Sequence, residues 1–155
     1  MQHEDNAFFH VGMKGYISKE GKLLIVRESE AFEDGGKWEL PGGRIGHDEV
    51  DSPFQDVLRR EIAEECGAVR VRIGEIVHVF RRHFANGKRV VLLGFDCEYL
   101  EGEIVLSDEH EKYAWISEED MKKYEFVNGY EEAIRTYFQK KSGERENLTR
   151  ITQSI

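Results

Sequence analysis

Hydrophobic and polar positions divide the chain into strand-like and helix-like segments. Four runs of apolar and β-branched residues predict extended strands, at 8–18, 22–28, 71–84 and 88–99. A glycine-containing turn connects the members of each pair: Lys19-Glu20-Gly21 in the first and Ala85-Asn86-Gly87 in the second. Because such turns, and Asn-Gly above all, favour hairpins, we expect both pairs to be antiparallel.

Shorter elements occupy the rest of the chain. Trp38-Glu39-Leu40 predicts a short strand that stops at Pro41, because proline has no amide hydrogen to donate. Ser52-Pro53 has the form of a helix start, with serine at the N-cap, and the helix is predicted to run to about Glu65 and to end at Gly67. The remaining pattern predicts a strand at 112–117, a short helix at 118–123 and a helix from about 130 to 141.

These elements predict one α+β domain, with helices packed against mostly antiparallel strands. The chain has 155 residues, of which 39% are hydrophobic, enough for one compact core. No repeat or linker interrupts residues 8–140, so we assign residues 1–155 to a single domain and expect 142–155 to be a frayed polar tail. Both cysteines, Cys66 and Cys97, are predicted to be buried hydrophobes.

The net charge of the chain restricts which binding partners it can have. The chain carries 22 Lys and Arg residues against 31 Asp and Glu residues, a formal net charge of −9. An acidic surface repels phosphate backbones and anionic bilayers, which argues against a nucleic-acid polymer or a membrane as partner. The N-terminus also lacks the basic and apolar regions of a signal peptide, so we expect a cytoplasmic protein. A small polyanion still fits this charge if a cation helps to bind it.

Three glutamates lie at unexpected positions on the helix predicted after Ser52. At about 100° per residue, its apolar side chains form one arc, which consists of Phe54, Val57, Leu58, Ile62 and Cys66. Glu61 and Glu65 fall inside that arc and Glu64 borders it. Burying a carboxylate is costly unless its pKa rises or a cation binds, and Mg²⁺ and Mn²⁺ prefer such oxygen ligands. The alternative is a half-exposed helix whose acids are solvated.

The glutamates belong to a longer pattern, which consists of Gly43, Glu49 and the run Arg60-Glu61-Ile62-Ala63-Glu64-Glu65-Cys66-Gly67-Ala68. These residues resemble the signature of the Nudix hydrolases: Gly, five residues, Glu, seven residues, Arg-Glu, apolar, any, Glu-Glu, any, Gly, apolar. One spacing departs from it, because ten residues separate Glu49 from Arg60. The three extra residues fall around Val50-Asp51-Ser52 and leave the helical half intact, so they affect the expected role of Glu49.

The flanking segments extend the resemblance. Residues 37–43 are similar to the usual lead-in of the family, and Glu109-His110-Glu111 is similar to its distal acidic segment. The resemblance implies the Nudix fold, a mixed β-sheet sandwiched between α-helices. It also implies hydrolysis of a nucleoside diphosphate linked to another moiety, with a divalent metal, Mg²⁺ or Mn²⁺, as cofactor.

Residue roles follow from the same resemblance. The metal ligands would be Glu61, Glu64 and Glu65, with the Gly42 carbonyl as a further ligand. Arg60 would orient the glutamates. Glu61 and Glu109 are both eligible as the general base. Glu109 is preferred, and Glu111 is the alternative in the same segment.

Residues downstream of the signature narrow the range of substrate classes. In this family, dinucleotide polyphosphate hydrolases typically carry a Tyr, and ADP-ribose hydrolases a Pro, a short distance beyond the signature. This chain has no Tyr between Ala68 and Asp96 and no Pro after Pro53. Nucleoside triphosphate pyrophosphohydrolases, including those that clear oxidised nucleotides, and nucleotide-sugar hydrolases remain. Cleavage of a triphosphate to monophosphate and pyrophosphate is marginally preferred.

Substrate contacts are proposed at a few positions. Strand alternation places Phe80, Arg82 and Phe84 on one face, where they could stack a base and bind phosphate, although a core face is the plainer interpretation. Arg27 is a candidate phosphate contact or a surface ion pair, and Glu111 is a further candidate for substrate contact. Three histidines show no spacing that indicates a site: His78, His83 and His110.

One rival class uses the same fold without catalysis. A Nudix-like module would bind a nucleotide in the cleft and leave it intact, and such modules usually lack one or more of the helix carboxylates. All three carboxylates are present here, which favours an enzyme. The oligomeric state is open, with a homodimer among the alternatives.

Overall fold

The computed structural model describes residues 5–153. Within that range the chain forms seven strands, two α-helices and two short 3-10 helices. The strands are β1 (His10–Lys19), β2 (Lys22–Glu28), β3 (Trp38–Glu39), β4 (Gly42–Arg44), β5 (Arg70–His83), β6 (Arg89–Glu101) and β7 (His110–Ile116). The helices are α1 (Phe54–Cys66) and α2 (Tyr130–Gln153), and the 3-10 helices span His47–Glu49 and Glu119–Lys123.

One mixed sheet contains all of these strands. Its main path runs β3-β2-β1-β6-β5, with β4 also paired to β1 and β7 to β2. The two predicted hairpins, β1–β2 and β5–β6, are antiparallel as expected. β1 and β6 pair in parallel over nine residues on each strand, from His10 opposite Val90 to Ser18 opposite Glu98. Parallel neighbours need a long crossover, and here it includes β2 to β5 and α1.

Helices cover both faces of the sheet. Alternation along β1 directs Met13 and Ile17 into the core beneath α1, and Tyr16 into the core beneath α2, where its ring stacks on Tyr137 at 4.8 Å. The sequence-based expectation of a mixed sheet sandwiched between helices is therefore confirmed. Cys66 and Cys97 are buried, also as expected.

α1 follows the predicted pattern with two differences. It ends at Cys66, and Gly67 follows with a left-handed φ of 80°, a conformation that glycine adopts without strain. Pro53 is the N-cap residue, one position before the helix, so the prediction of Ser52 at the N-cap was wrong. Phe54, which the helical wheel placed in the apolar arc, is 41% exposed at the first position of the helix and belongs to neither core cluster.

α2 is longer than predicted. It continues through Gln153, where the sequence predicted a helix to about residue 141 and a frayed tail beyond it. The extension contains no proline, and the hydroxyls of Thr149 and Thr152 donate to the carbonyls of Arg145 and Leu148, one turn earlier. Polarity alone therefore does not end a helix whose residues are compatible with it. Positions 154–155 of the predicted tail lie outside the described residues. Neither helix is long and apolar enough to cross a membrane within the range that the structure describes.

Candidate active site

Arg60 on α1 contacts three carboxylates at once. Its Nε and Nη2 each donate to one oxygen of Glu49 at 2.6 Å. Nη2 also donates to Glu61 at 2.8 Å, and Nη1 donates to Glu64 at 2.9 Å. Forked, charge-assisted bonds of this kind fix the orientation of both partners. The hydrogen bonds from Arg60 lower the pKa of Glu49 below its ordinary value. The guanidinium therefore ties the loop before α1 to the acidic face of that helix.

Two adjacent glycines bring this helix against the sheet. Gly42 has a φ of 132°, and a Cβ there would lie 2.1 Å from the Met13 carbonyl oxygen. A Cβ on Gly43 would lie 2.4 Å from the carboxyl carbon of Glu61. Neither position can hold a larger side chain without displacing backbone or the Glu61 carboxylate. Pairing of β4 with β1 and close approach of α1 thus both depend on the absence of side chains here.

Glu65 is the buried member of the helix carboxylates, with only 4% of the residue exposed. Its Oε2 accepts a hydrogen bond of 2.9 Å from the Gly42 amide. Burial raises the pKa of Glu65 to about 7, against the opposing effect of Lys14 and His110. Burial also raises the pKa of Glu61, which the hydrogen bond from Arg60 opposes. Both carboxylates that the helical wheel placed inside the apolar arc thus bear a desolvation cost.

A buried ion pair lies directly behind these acids. Lys14 Nζ donates to the carbonyls of Gly42 at 2.9 Å and Leu40 at 3.1 Å, and lies 3.5 Å from Glu39 Oε2. Burial acts to lower the pKa of Lys14, but the charges of Glu39, Tyr130 and Glu65 outweigh it and raise that pKa overall. Burial likewise acts to raise the pKa of Glu39, but Lys14 and His110 outweigh it and lower that pKa to about 2. The pair is therefore ionised near neutral pH.

His110 joins this pair from the first position of β7. Its Nε2 lies 3.0 Å from Glu39 Oε1, and 4% of the residue is exposed. Burial acts to lower the pKa of His110, but the hydrogen bond with Glu39 and the charge of Glu65 raise it overall. One ring nitrogen of His110 and one carboxylate oxygen from each of Glu65 and Glu109 all lie within 4.8 Å of one another. Residues from α1, β7 and the loop before β7 therefore converge.

A cleft of about 450 Å³ lies between α1, β1 and β5, and several of these groups line it, among them Lys14, Glu61 and Glu65. Seven carboxylates line it, from Glu28, Glu33, Asp34, Glu39, Glu61, Glu65 and Glu109. Only three cationic side chains oppose them: Lys14, Arg44 and Arg82. Phe32 and Phe84 add aromatic surface at the rim, and the Arg82 guanidinium lies 4.0 Å from the centre of the Phe84 ring. The lining is thus strongly acidic, with aromatic side chains among the acidic ones.

The residues singled out from the sequence fall into two groups. Six line the cleft: Gly42, Glu61, Glu65, Arg82, Phe84 and Glu109. Five lie outside its lining: Arg27, Arg60, Glu64, Phe80 and Glu111. Of the second group, Arg60 and Glu64 are bonded to each other at the edge of the acidic face.

The other three residues outside the lining have different partners. Arg27 is ion-paired with Glu111 and Glu30, which is the plainer of the two interpretations for Arg27. Phe80 packs edge-on against the Tyr130 ring at 5.3 Å, next to the core beneath α2. Within the cleft, Arg82 is ion-paired with Asp34, so its charge is partly compensated.

Sequence reasoning missed Lys14, Glu39 and His110. Lys14 carried a signal, since it is the only cation in the otherwise apolar core run of β1. Glu39 and His110 carried none, because their contact joins positions 71 residues apart in the chain.

A larger open groove, of about 870 Å³, lies at the opposite ends of β1, β5 and β6. Its charged side chains neutralise one another, since Arg72 pairs with Glu98 and Lys141 pairs with Asp96. The uncompensated acidic groups are in the cleft, which is therefore the candidate active site.

Comparisons with known proteins agree with the fold. The family model of the NUDIX domain matches residues 9–137, and the chain belongs to that family. The protein is accordingly a hydrolase that acts on phosphoric anhydride bonds, in a family whose members act on small nucleotide substrates.

Individual relatives are similar over most of the chain. The nucleoside triphosphatase NudI of Escherichia coli strain SE11 is 30% identical over 122 residues, which cover 70% of this chain and 82% of that protein. The NudI of Klebsiella pneumoniae strain 342 is 29% identical over 125 residues, with the same shares covered. Among solved structures, the MutT protein of Methanosarcina mazei Go1 superimposes with a TM-score of 0.72 at 30% identity, covering 90% of this chain and 95% of that one.

Proposed function

We propose that the protein is a divalent-metal-dependent pyrophosphohydrolase that cleaves a nucleoside triphosphate to the monophosphate and pyrophosphate. The observation that carries this proposal is the convergence of Glu61, Glu65 and Glu109 in one cleft, beside a glycine turn that admits α1. The similarity to proteins named nucleoside triphosphatases supports the choice of a triphosphate.

The charge of the cleft supports the need for metal. With seven carboxylates and three cationic side chains in the lining, a triphosphate entering alone would meet net repulsion. Burial raises the pKa of Glu65 to about 7, so the charged form of this carboxylate is disfavoured in the metal-free chain. His110 Nδ1 is also buried without a hydrogen-bond partner among the described residues. Hard oxygen donors around such a deficit of positive charge fit Mg²⁺ or Mn²⁺.

Each residue near these carboxylates has a proposed task. The metal is held by Glu61, Glu65 and Glu109, with Glu64 as a further ligand beside Arg60. The Gly42 carbonyl accepts a hydrogen bond from Lys14 and keeps a second lone pair for the metal. When bound, a divalent ion would neutralise phosphate charge and lower the pKa of a coordinated water. Arg60 holds Glu61 and Glu64 in place. Glu109 accepts the proton of the attacking water, with Glu61 as the alternative base.

Phe32 and Phe84 mark the proposed nucleoside side of the cleft. Phe84, with Arg82 stacked on it, and Phe32, which is 44% exposed, offer flat surfaces on which a base can stack. The ion pair between Arg82 and Asp34 holds the Arg82 guanidinium over the Phe84 ring. The cleft thereby offers a stacking surface for a base in the same lining as the carboxylates that hold the metal.

A turnover screen tests the proposal. The panel contains the common nucleoside triphosphates, triphosphates with oxidised bases and nucleoside diphosphate sugars, each with Mg²⁺ or Mn²⁺ and with mass spectrometry of the products. We expect the highest kcat/KM with a triphosphate and release of pyrophosphate. Binding of nucleotides without turnover across the whole panel would instead show a non-catalytic module, and a preference for a diphosphate sugar would replace the substrate class.

A further inference from the structure

His110 has one satisfied and one unsatisfied ring nitrogen. Nε2 is 3.0 Å from Glu39 Oε1, whereas Nδ1 is buried with no hydrogen-bond partner in the part of the chain that the structure describes. A buried imidazole nitrogen without a partner is costly, and native structures rarely leave one without a reason. The ring is fixed in the core, so Nδ1 cannot turn to solvent for compensation.

Glu39 determines which nitrogen stays available. Its carboxylate is held from the other side by Lys14, which also bonds to the Leu40 and Gly42 carbonyls. An ionised carboxylate accepts hydrogen bonds and donates none, so Nε2 must carry the hydrogen in this contact. In the neutral ring the lone pair is then on Nδ1.

This carboxylate–imidazole arrangement is the usual support of a metal-binding histidine. Metal-ligating histidines almost always donate their second ring nitrogen to a carboxylate or carbonyl, which fixes the tautomer and the ring orientation. Glu39 and His110 already form that half of the arrangement. One ring nitrogen of His110 and one oxygen from each of Glu65 and Glu109 lie within 4.8 Å of one another. Because Nε2 is taken by Glu39, Nδ1 is the nitrogen left for a metal ion.

We infer that His110 is a nitrogen ligand of the divalent ion in this cleft, bound through Nδ1 together with Glu65 and Glu109, and that Glu39 is its positioning residue. The inference rests on the metal dependence of the proposed function, but it adds a nitrogen donor to an otherwise oxygen-donor site. Imidazole nitrogen favours Mn²⁺ and later transition metals over Mg²⁺. The site is therefore predicted to bind Mn²⁺ more tightly than Mg²⁺.

Pulsed electron paramagnetic resonance of bound Mn²⁺ tests this ligand directly. The full chain, stripped with a chelator, is loaded with Mn²⁺ at less than one equivalent, and nitrogen modulation of the spin echo is recorded. We expect a ¹⁴N signal, which changes to the ¹⁵N pattern when the protein carries ¹⁵N-labelled histidine. Absence of nitrogen modulation in the unaltered protein with Mn²⁺ bound would overturn the inference, and this measurement needs no variant to fold.

Variants then identify which residue supplies the nitrogen signal. His110→Gln should abolish the nitrogen signal and weaken Mn²⁺ binding by about 10-fold or more, while Mg²⁺ binding changes less. The matched control is His78→Gln, since His78 stacks on Phe80 and is not part of the group formed by Glu65, Glu109 and His110, so it should leave the signal unchanged. Glu39→Gln should keep the signal and weaken Mn²⁺ binding. A signal that survives in His110→Gln would contradict the assignment.

Turnover assays separate this inference from the proposed function. A nitrogen signal lost in His110→Gln, in a protein that hydrolyses nothing in the panel, would support the ligand and refute the catalytic proposal. Metal-dependent turnover without a nitrogen signal would refute the ligand and leave the catalytic proposal intact.

Discussion

Arg60 and Glu49 form a forked ion pair, in which two guanidinium nitrogens of Arg60 each lie 2.6 Å from one carboxylate oxygen of Glu49. Ten residues separate them in the chain, three more than in the family signature. The structure accommodates the difference in a turn at 50–52, between the 3-10 helix that carries Glu49 and the start of α1. The departure in spacing therefore leaves the contact between the two residues intact.

Glu49 should act on catalysis through Arg60. Glu49→Gln removes the charged acceptor of two hydrogen bonds and leaves the guanidinium less fixed against Glu61 and Glu64. We expect kcat to fall about 10- to 100-fold with a smaller change in KM. Steady-state kinetics measure this effect. Asp48→Asn is the matched control on the same 3-10 helix and should stay near the parent rate, so equal losses in both variants would refute the role of Glu49.

Substitution of the two glycines of the turn, Gly42 and Gly43, should affect stability in one case and activity in the other. In Gly42→Ala the new Cβ meets the backbone of Met13 at a positive φ, so we expect unfolding to become easier by on the order of 2–3 kcal/mol. In Gly43→Ala the Cβ meets the Glu61 carboxylate, a movable side-chain end, so activity should fall with little loss of stability. Urea unfolding and kinetics on both variants make the comparison. The reverse pattern would contradict the geometry.

Glu65 should destabilise the metal-free protein near neutral pH. Its pKa is about 7 in the folded chain against an ordinary 4.5, so between these values the folded state retains a proton that the unfolded state has lost. The free energy of unfolding therefore falls as pH rises through this window and levels off above it.

Substitution should remove that cost. In chelator, Glu65→Gln is expected to be more stable than the parent at pH ~8 by on the order of 1–3 kcal/mol and to show no gain at pH ~4. Urea unfolding at both pH values measures the sign of the change in the free energy of unfolding. A Glu65→Gln protein that is less stable than the parent at the higher pH would show that Lys14 and His110 already compensate the charge.

Phe84 should affect substrate affinity rather than the chemical step. Phe84→Ala removes the ring on which Arg82 stacks, so we expect KM for a triphosphate to rise about 10-fold with kcat nearly unchanged. His83→Ala is the control from the exposed, opposite face of β5. A fall in kcat at constant KM in Phe84→Ala would place the base elsewhere.

Local patterns predicted much of the fold and half of the site. Both hairpins follow from turn residues between alternating strands, and the helical wheel placed Glu61 and Glu65 on the buried side of α1, where burial now raises their pKa values. The wheel failed at Phe54 because it treats every turn of a helix alike, whereas the first residue of α1 packs into neither core cluster.

Contacts distant in sequence were not predictable in this way. Lys14 and Glu39 are 25 positions apart, and Glu39 and His110 are 71 apart, so no periodicity links them. They meet because β1, β7 and the segment around β3 are all assembled around β2. A lone lysine in an apolar strand indicates a buried partner, but only the sheet topology identifies it.

Product analysis with and without metal tests the central claim most directly. The chelator-treated protein is incubated with a nucleoside triphosphate, then Mg²⁺ or Mn²⁺ is added, and the phosphate products are identified by mass spectrometry. We predict monophosphate and pyrophosphate only after metal addition, and a loss of several orders of magnitude in the Glu64→Gln/Glu65→Gln protein. Turnover that persists in chelator, or near-normal metal-dependent activity in the double variant, would contradict the account.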